Sequence, residues 1–156
     1  MTDTRAADTP TPRPMEVTIP GHLFAAMPFY DVIETRDTVI VDLHNRPDLA
    51  NVRGALQGGL VATLIDVAGG RLALAAGDRG VGVSTADMTI PYLAPIVTGP
   101  ARAVATFVRK GRRLIIVAVD VFDIGADRLA ARATLSFAVL EPRAGQSCSP
   151  VAPLAP

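Results

Sequence analysis

Four side chains and two glycines within one short stretch and the strand after it are of types that handle acyl groups. The stretch reads Asn51-Val52-Arg53-Gly54-Ala55-Leu56-Gln57-Gly58-Gly59-Leu60-Val61-Ala62-Thr63-Leu64-Ile65-Asp66. A polar, glycine-bearing turn runs into an apolar segment that carries one carboxylate two helical turns inside. From Gly58 to Ala76 the only other charge is Arg71, five positions past Asp66, which is not the three- or four-residue spacing at which helical side chains meet. A carboxylate without a partner is costly to bury, so such a residue often has a task. The glycines that open the segment offer backbone N–H groups backed by the positive end of a helix dipole. A base and an oxyanion cradle on one segment point to acyl transfer or hydrolysis. Asn51 and Gln57 flank the turn as uncharged amides, and Thr85 offers a hydroxyl from the next strand. On spacing alone, Asp66 is also readable as a structural carboxylate paired at a distance or open to water.

These groups need a helix and a sheet to hold them. Gly58 to Ala76 is apolar around most of its circumference, which predicts a buried central helix. The Gly69-Gly70 pair inside it costs about 1 kcal/mol per glycine relative to alanine, so a sheet, a second subunit or a ligand must approach closely there. Asp31 to Leu43 is rich in Val, Ile and Thr and predicts one strand. Val81 to Leu93, Ala101 to Arg109, Leu114 to Phe122 and Leu129 to Val139 predict four more, the last three joined by tight turns as an antiparallel meander. Gly21 to Phe29 predicts a helical turn or two over one edge of the core, and Arg46 to Gln57 an irregular connection. One long helix followed by a run of strands is α+β, the sheet curled around the helix. The domain spans 16–141, between a disordered N-terminal tail, 1–15, and a Pro/Ala-rich C-terminal tail, 142–156.

Composition narrows the partners. The 156 residues carry 15 basic and 15 acidic side chains, so no electrostatic attraction to nucleic acid is expected, and 4% aromatics offer no stacking platform. No signal peptide or uninterrupted membrane span is read, so a cytoplasmic placement is expected. The lone Cys148 lies in the tail. His22 and His44 have no ligand or triad company, so no metal or other cofactor is expected. There is no phosphate loop, dinucleotide fingerprint or serine elbow. The cations Arg109, Lys110, Arg112 and Arg113 surround Gly111. They are readable as a solvated turn that blocks edge aggregation or as a landing site for nucleotide phosphates.

Asn51, the run Gly54-Ala55-Leu56-Gln57-Gly58-Gly59, Asp66, and Thr85-Ala86-Asp87-Met88-Thr89-Ile90-Pro91-Tyr92-Leu93-Ala94-Pro95 together resemble the PaaI-like hotdog acyl-CoA thioesterases. The resemblance covers nearly all of residues 17–140. It implies a hotdog fold, an antiparallel sheet around one long helix, assembled as a dimer of hotdogs and often as a homotetramer. It also implies active sites at the dimer interface, with the acidic residue from one subunit and the Gly-Gly turn from the other. By that resemblance Asp66 is nucleophile or general base, and the Gly58 N–H holds the oxyanion. Asn51 orients water or the carboxylate, and Thr85 assists from the partner side. Gly59 and Gly70 leave substrate room, while Arg109, Lys110, Arg112 and Arg113 receive the nucleotide of an acyl-CoA. Where the family's turn begins with His, this chain has Gln57, which exchanges hydrogen bonds but takes up no proton near neutral pH. That residue leaves open a non-catalytic hotdog module that binds acyl-thioesters or small apolar ligands. A hotdog hydratase is weaker, because its helix would carry a His.

Overall fold

In a computed structural model, residues 10–17, 19–76 and 82–140 are described. Residues 1–9 and 142–156 of the two expected tails, Cys148 with them, lie outside the described residues. The helix α1 spans Gly58–Ala76, the bounds expected from its apolar run. Val61, Leu64, Ile65, Ala68, Leu72 and Ala73 are buried, and this three- and four-residue spacing forms one continuous stripe. The opposite side is not covered: Leu60 and Val67 are only partly buried, and Leu74 is 50% exposed. The apolar residues on most sides of the helix are therefore buried by the sheet on one side only. One sheet can wrap only part of a helix, and apolar residues on the remaining side look the same in sequence whether a sheet or a second molecule covers them.

Seven antiparallel strands form one sheet: β1 (Arg13–Pro14), β2 (Phe29–Glu34), β3 (Thr38–Leu43), β4 (Gly82–Thr89), β5 (Ala101–Lys110), β6 (Leu114–Asp123) and β7 (Arg128–Leu140). Their spatial order is β1-β2-β3-β5-β6-β7-β4, so α1 carries the chain from β3 across the sheet to its far edge. The helix lies against β3, β5, β6, β4 and β7. Ala101, Ala103, Ala105, Ala131 and Ala133 are fully buried or nearly so. These short side chains let the helix backbone approach the sheet, while Val117, Val119, Val121, Leu135 and Phe137 fill the rest of the core. By length and composition α1 is apolar enough to cross a membrane, but its inner stripe is packed on this sheet.

Two expectations change. Asp31 to Leu43 is not one strand but the hairpin β2–β3. Thr35 turns the chain by accepting hydrogen bonds at Oγ1 from the amides of Asp37 (3.3 Å) and Thr38 (3.0 Å), a hydroxyl turn that competes with strand continuation. Arg13 and Pro14, expected in the tail, pair with Asp31 and Tyr30. The meander β5–β6–β7 is as expected. The turn expected between Gly21 and Phe29 is a 3₁₀ segment over Leu23–Ala26, which His22 caps through the Phe24 amide.

Candidate active site

The entrance to α1 is built by Asn51. Its backbone N–H donates to the Ala55 carbonyl at 2.7 Å, and its carbonyl accepts from Gly54 at 2.9 Å. Its side-chain Oδ1 accepts from the amides of Arg53 (2.8 Å) and Ala55 (3.3 Å). Gly54 sits at φ +79°, a left-handed conformation that glycine adopts without strain. Asn51 Oδ1 is therefore used inside its own turn, and Nδ2, the donor that a carboxylate or a water would accept from, has no partner among the described residues. The turn is held from both sides, by Leu56 N–H on the Ile96 carbonyl (2.8 Å) and Gln57 N–H on the Leu49 carbonyl (3.0 Å).

Gln57 occupies the N-cap position. Its carbonyl takes the amides of Leu60 (2.9 Å) and Val61 (3.2 Å), while its side chain is exposed and bonds nothing among the described residues. The amides of Gly58 and Gly59 find no acceptor among the described residues. Two open N–H groups at the positive end of a 19-residue helix are an anion cradle. Packing does not require either glycine. A Cβ on Gly59 would meet nothing within 4 Å, and one on Gly58 would touch the Tyr92 ring at 3.8 Å, an ordinary contact.

Asp66 is half-buried on the flank of α1 and accepts a 2.8 Å hydrogen bond at Oδ1 from Thr85 Oγ1. Thr85 thus holds the carboxylate of its own chain. The register slips between Thr85 and Asp87, a bulge of the kind that re-aims side chains on edge strands. Asp66 has no cationic partner among the described residues. Arg71, the one charge on α1 that could have neutralised it, pairs instead with Asp31 and Glu34 of β2. Burial works against that guanidinium's charge, but its bonds to the two carboxylates outweigh it and raise its pKa further. Eight residues separate Gly58 from Asp66, a rise of about 12 Å. One chain does not bring cradle and carboxylate to the same acyl carbon.

The glycine pair splits. A Cβ on Gly69 would come within 3.3 Å of Phe137 and 3.4 Å of Leu135, so the sheet explains it. A Cβ on Gly70 would meet Phe137 at 3.7 Å, an ordinary contact, so packing on the sheet does not require that glycine.

A cavity of about 340 Å³ opens beside the cradle, lined by Asn51, Leu56, Gly58, Val61, Tyr92 and Ile96 among others. It is mostly apolar and at the small end of ligand pockets. Tyr92, which sequence reasoning placed in a motif without a role, stands in its wall and donates from Oη to the Gly58 carbonyl at 2.9 Å. The signal available in sequence was an aromatic residue in a proline-bounded loop, Pro91 to Pro95. A larger hollow, about 470 Å³ between Arg13, Glu16, Asp31 and Arg71, has its central charges already paired and lies away from both cradle and carboxylate.

The basic hairpin lies toward the Thr85 end of the sheet, because Leu114 pairs with Ala138 and Ala138 with Ser84. Lys110 is engaged, 2.7 Å from Asp37 and 4.1 Å above the Phe107 ring. Arg109, Arg112 and Arg113 are exposed, with no side-chain partner among the described residues. His44 stacks on Tyr30 at 4.1 Å, a structural role like that of His22.

The thioesterase superfamily model matches residues 53–130, from the turn before α1 into β7. A protein of Saccharolobus solfataricus, provisionally named an esterase, is 30% identical over 101 residues, covering 65% of this chain and 71% of that protein. A Bacillus halodurans protein solved with CoA is 32% identical at a TM-score of 0.61, over 65% of this chain and 66% of its own. A thioesterase of Haemophilus influenzae is similar in fold, with a TM-score of 0.72 at 18% identity over 78% of this chain and 84% of its own. A long helix inside an antiparallel sheet, an open amide pair at its start and an unneutralised carboxylate along it meet these matches in one conclusion: the chain belongs to the thioesterase superfamily, thioester hydrolases of the hotdog fold.

Proposed function

We propose that the protein hydrolyses acyl-CoA thioesters to the free acid and CoA, as a PaaI-like thioesterase. The observation that carries this reading is the pairing of two amides, Gly58 and Gly59, that find no acceptor among the described residues, with a carboxylate that Thr85 orients and no cation among those residues neutralises. The thioester oxygen accepts from Gly58 N–H, so negative charge builds where donors already point. Asp66 Oδ2, the oxygen not held by Thr85, takes a proton from the attacking water, or itself attacks the carbonyl carbon to give an anhydride that water then hydrolyses to the free acid and the restored carboxylate. The tetrahedral intermediate collapses by breaking the C–S bond. The leaving group departs as a thiolate, and a thiol has a pKa near about 8.5, so no strong acid has to protonate it. On that chemistry Gln57 serves as a hydrogen-bonding residue where the family has His.

The 12 Å gap is closed by a second copy. Two α1 helices lying antiparallel about a two-fold axis near Ala62 and Thr63 set Asp66 of each chain opposite Gly58 of the other. Gly59, Ala62, Thr63 and Gly70 lie toward that side, all short enough for close approach, and β4 presents an unpaired edge with Ser84–Asp87 exposed. Dimers assembling into tetramers are part of this reading. The CoA bound to the Bacillus halodurans relative supports a CoA ester as substrate, with Arg109, Arg112 and Arg113 meeting its phosphates. Gln57 favours one other reading, an acyl-thioester binding module without turnover.

The test is release of free thiol from short-, long- and aryl-acyl-CoA esters by the protein and by Asp66→Asn. Loss of about 100-fold or more in kcat is expected in the variant. Equal release from both would end the hydrolase reading, and tight binding without release would establish the binding module.

A further inference from the structure

The loop that carries Tyr92 is fixed from behind. The amides of Leu93 and Ala94 donate to the Ala130 carbonyl at 2.8 and 3.1 Å, and the Arg132 amide donates to Pro91 at 3.2 Å. Arg128 holds the Pro95 carbonyl at 2.6 Å. The phenol is therefore a strut on a rigid base, and its hydroxyl ends on the carbonyl of the first residue of α1. Neither group needs the bond for want of a partner. Tyr92 is 53% exposed as a residue, so water is available to the hydroxyl, and a carbonyl at this position in a regular helix already accepts from the amide four residues on. What the bond adds is orientation and polarisation.

The carbonyl of Gly58 and the N–H of Gly59 belong to one planar peptide unit. A hydrogen bond accepted at that oxygen draws density from the nitrogen and strengthens the N–H as a donor, by about 10–30% per bond. The Gly59 amide is one of the two without an acceptor, and the space beside its Cα is open. We propose that Tyr92 is a positioning residue that holds and polarises the Gly58–Gly59 peptide, making the Gly59 N–H a second donor to the developing oxyanion beside that of Gly58. This rests on the thioester-hydrolase reading.

Tyr92→Phe removes the hydroxyl and keeps the ring in the cavity wall. The expected result is kcat on acyl-CoA lowered about 3- to 10-fold with KM within about twofold, the signature of an interaction made in the transition state. The melting temperature should be unchanged, and in the ligand-free variant the Gly59 amide proton resonance should move upfield. An unchanged kcat, a loss confined to KM, or a Gly59 resonance that stays in place overturns the assignment. The resonance arm needs no turnover. A wild-type protein that binds acyl-CoA without cleaving it would defeat the hydrolase reading, and an unmoved resonance would separately defeat the polarisation by Tyr92.

Discussion

Asp123 and Asp66 are each set against backbone or side-chain donors in this small domain, and the chain treats them in opposite ways. Asp123 is fully buried at the end of β6 and accepts from three consecutive amides, Val97 at 2.9 Å, Thr98 at 3.2 Å and Gly99 at 2.6 Å. Burial pushes its carboxyl up, but those three amides and the nearby Arg128 more than reverse this and hold it below the ordinary range. Asp66 is half-exposed and has a single hydroxyl donor. The amides show the same contrast: those of the 97–99 loop are filled by a carboxylate of the same chain, and those of Gly58 and Gly59 are left open. An anion site completed within the chain is structural. One left incomplete is kept for something the chain does not supply.

The contrast can be broken by exchanging roles. Asp66→Asn should abolish turnover while leaving the fold intact, and Asp123→Asn should do the reverse. Replacing a buried, multiply bonded carboxylate costs about 1.5–3 kcal/mol, so chemical denaturation should show a clear stability loss, with kcat on the surviving folded protein close to wild type. The sign with pH follows from the depressed carboxyl. Its stabilisation is complete above the ordinary aspartate value of about 3.9 and is lost as pH falls through the lower folded value. Asp123→Asn should therefore flatten the acid limb of the stability curve, and an unchanged limb would remove Asp123 from the account. Gly59→Ala is the smallest test. It should raise stability by about 0.4–1 kcal/mol, since nothing among the described residues opposes the methyl group, yet lower kcat/KM. A variant both more stable and fully active would mean that the open space beside Gly59 serves neither substrate nor partner.

What the sequence made legible follows from the range of each signal. The bounds of α1 and the meander from β5 to β7 were readable because periodicity and turn chemistry are local. Thr35 broke an apparently continuous strand through one hydroxyl, which apolar patterning does not register. The donors at Gly58 and Gly59 and the isolation of Asp66 from Arg71 were readable from spacing. Contacts that join distant segments were not. Thr85 was expected to assist from the partner side, and its bond to Asp66 of its own chain was not legible, because it depends on β4 lying at the sheet edge beside α1. Asn51 was legible as a ligand-orienting amide, but its second task, holding its own turn through Oδ1, was not. The bond from Tyr92 to Gly58 spans 34 residues and has no local pattern to announce it.

The central claim is that each site takes its carboxylate from one chain and its oxyanion donor from another. Gly58→Pro removes that donor alone. Proline is favoured at the first position of a helix, where the missing N–H would be unpaired in any case, and a Cβ there meets Tyr92 only at ordinary contact distance. The measurement is thiol release from acyl-CoA by Asp66→Asn, by Gly58→Pro, and by the two co-expressed so that mixed dimers form. Each variant alone should be nearly inactive. The mixture should recover up to about a quarter of wild-type activity, since half the dimers are mixed and each mixed dimer holds one intact site of two. A mixture as inactive as its components, with mixed dimers shown to be present, would place carboxylate and cradle on the same chain and contradict the account.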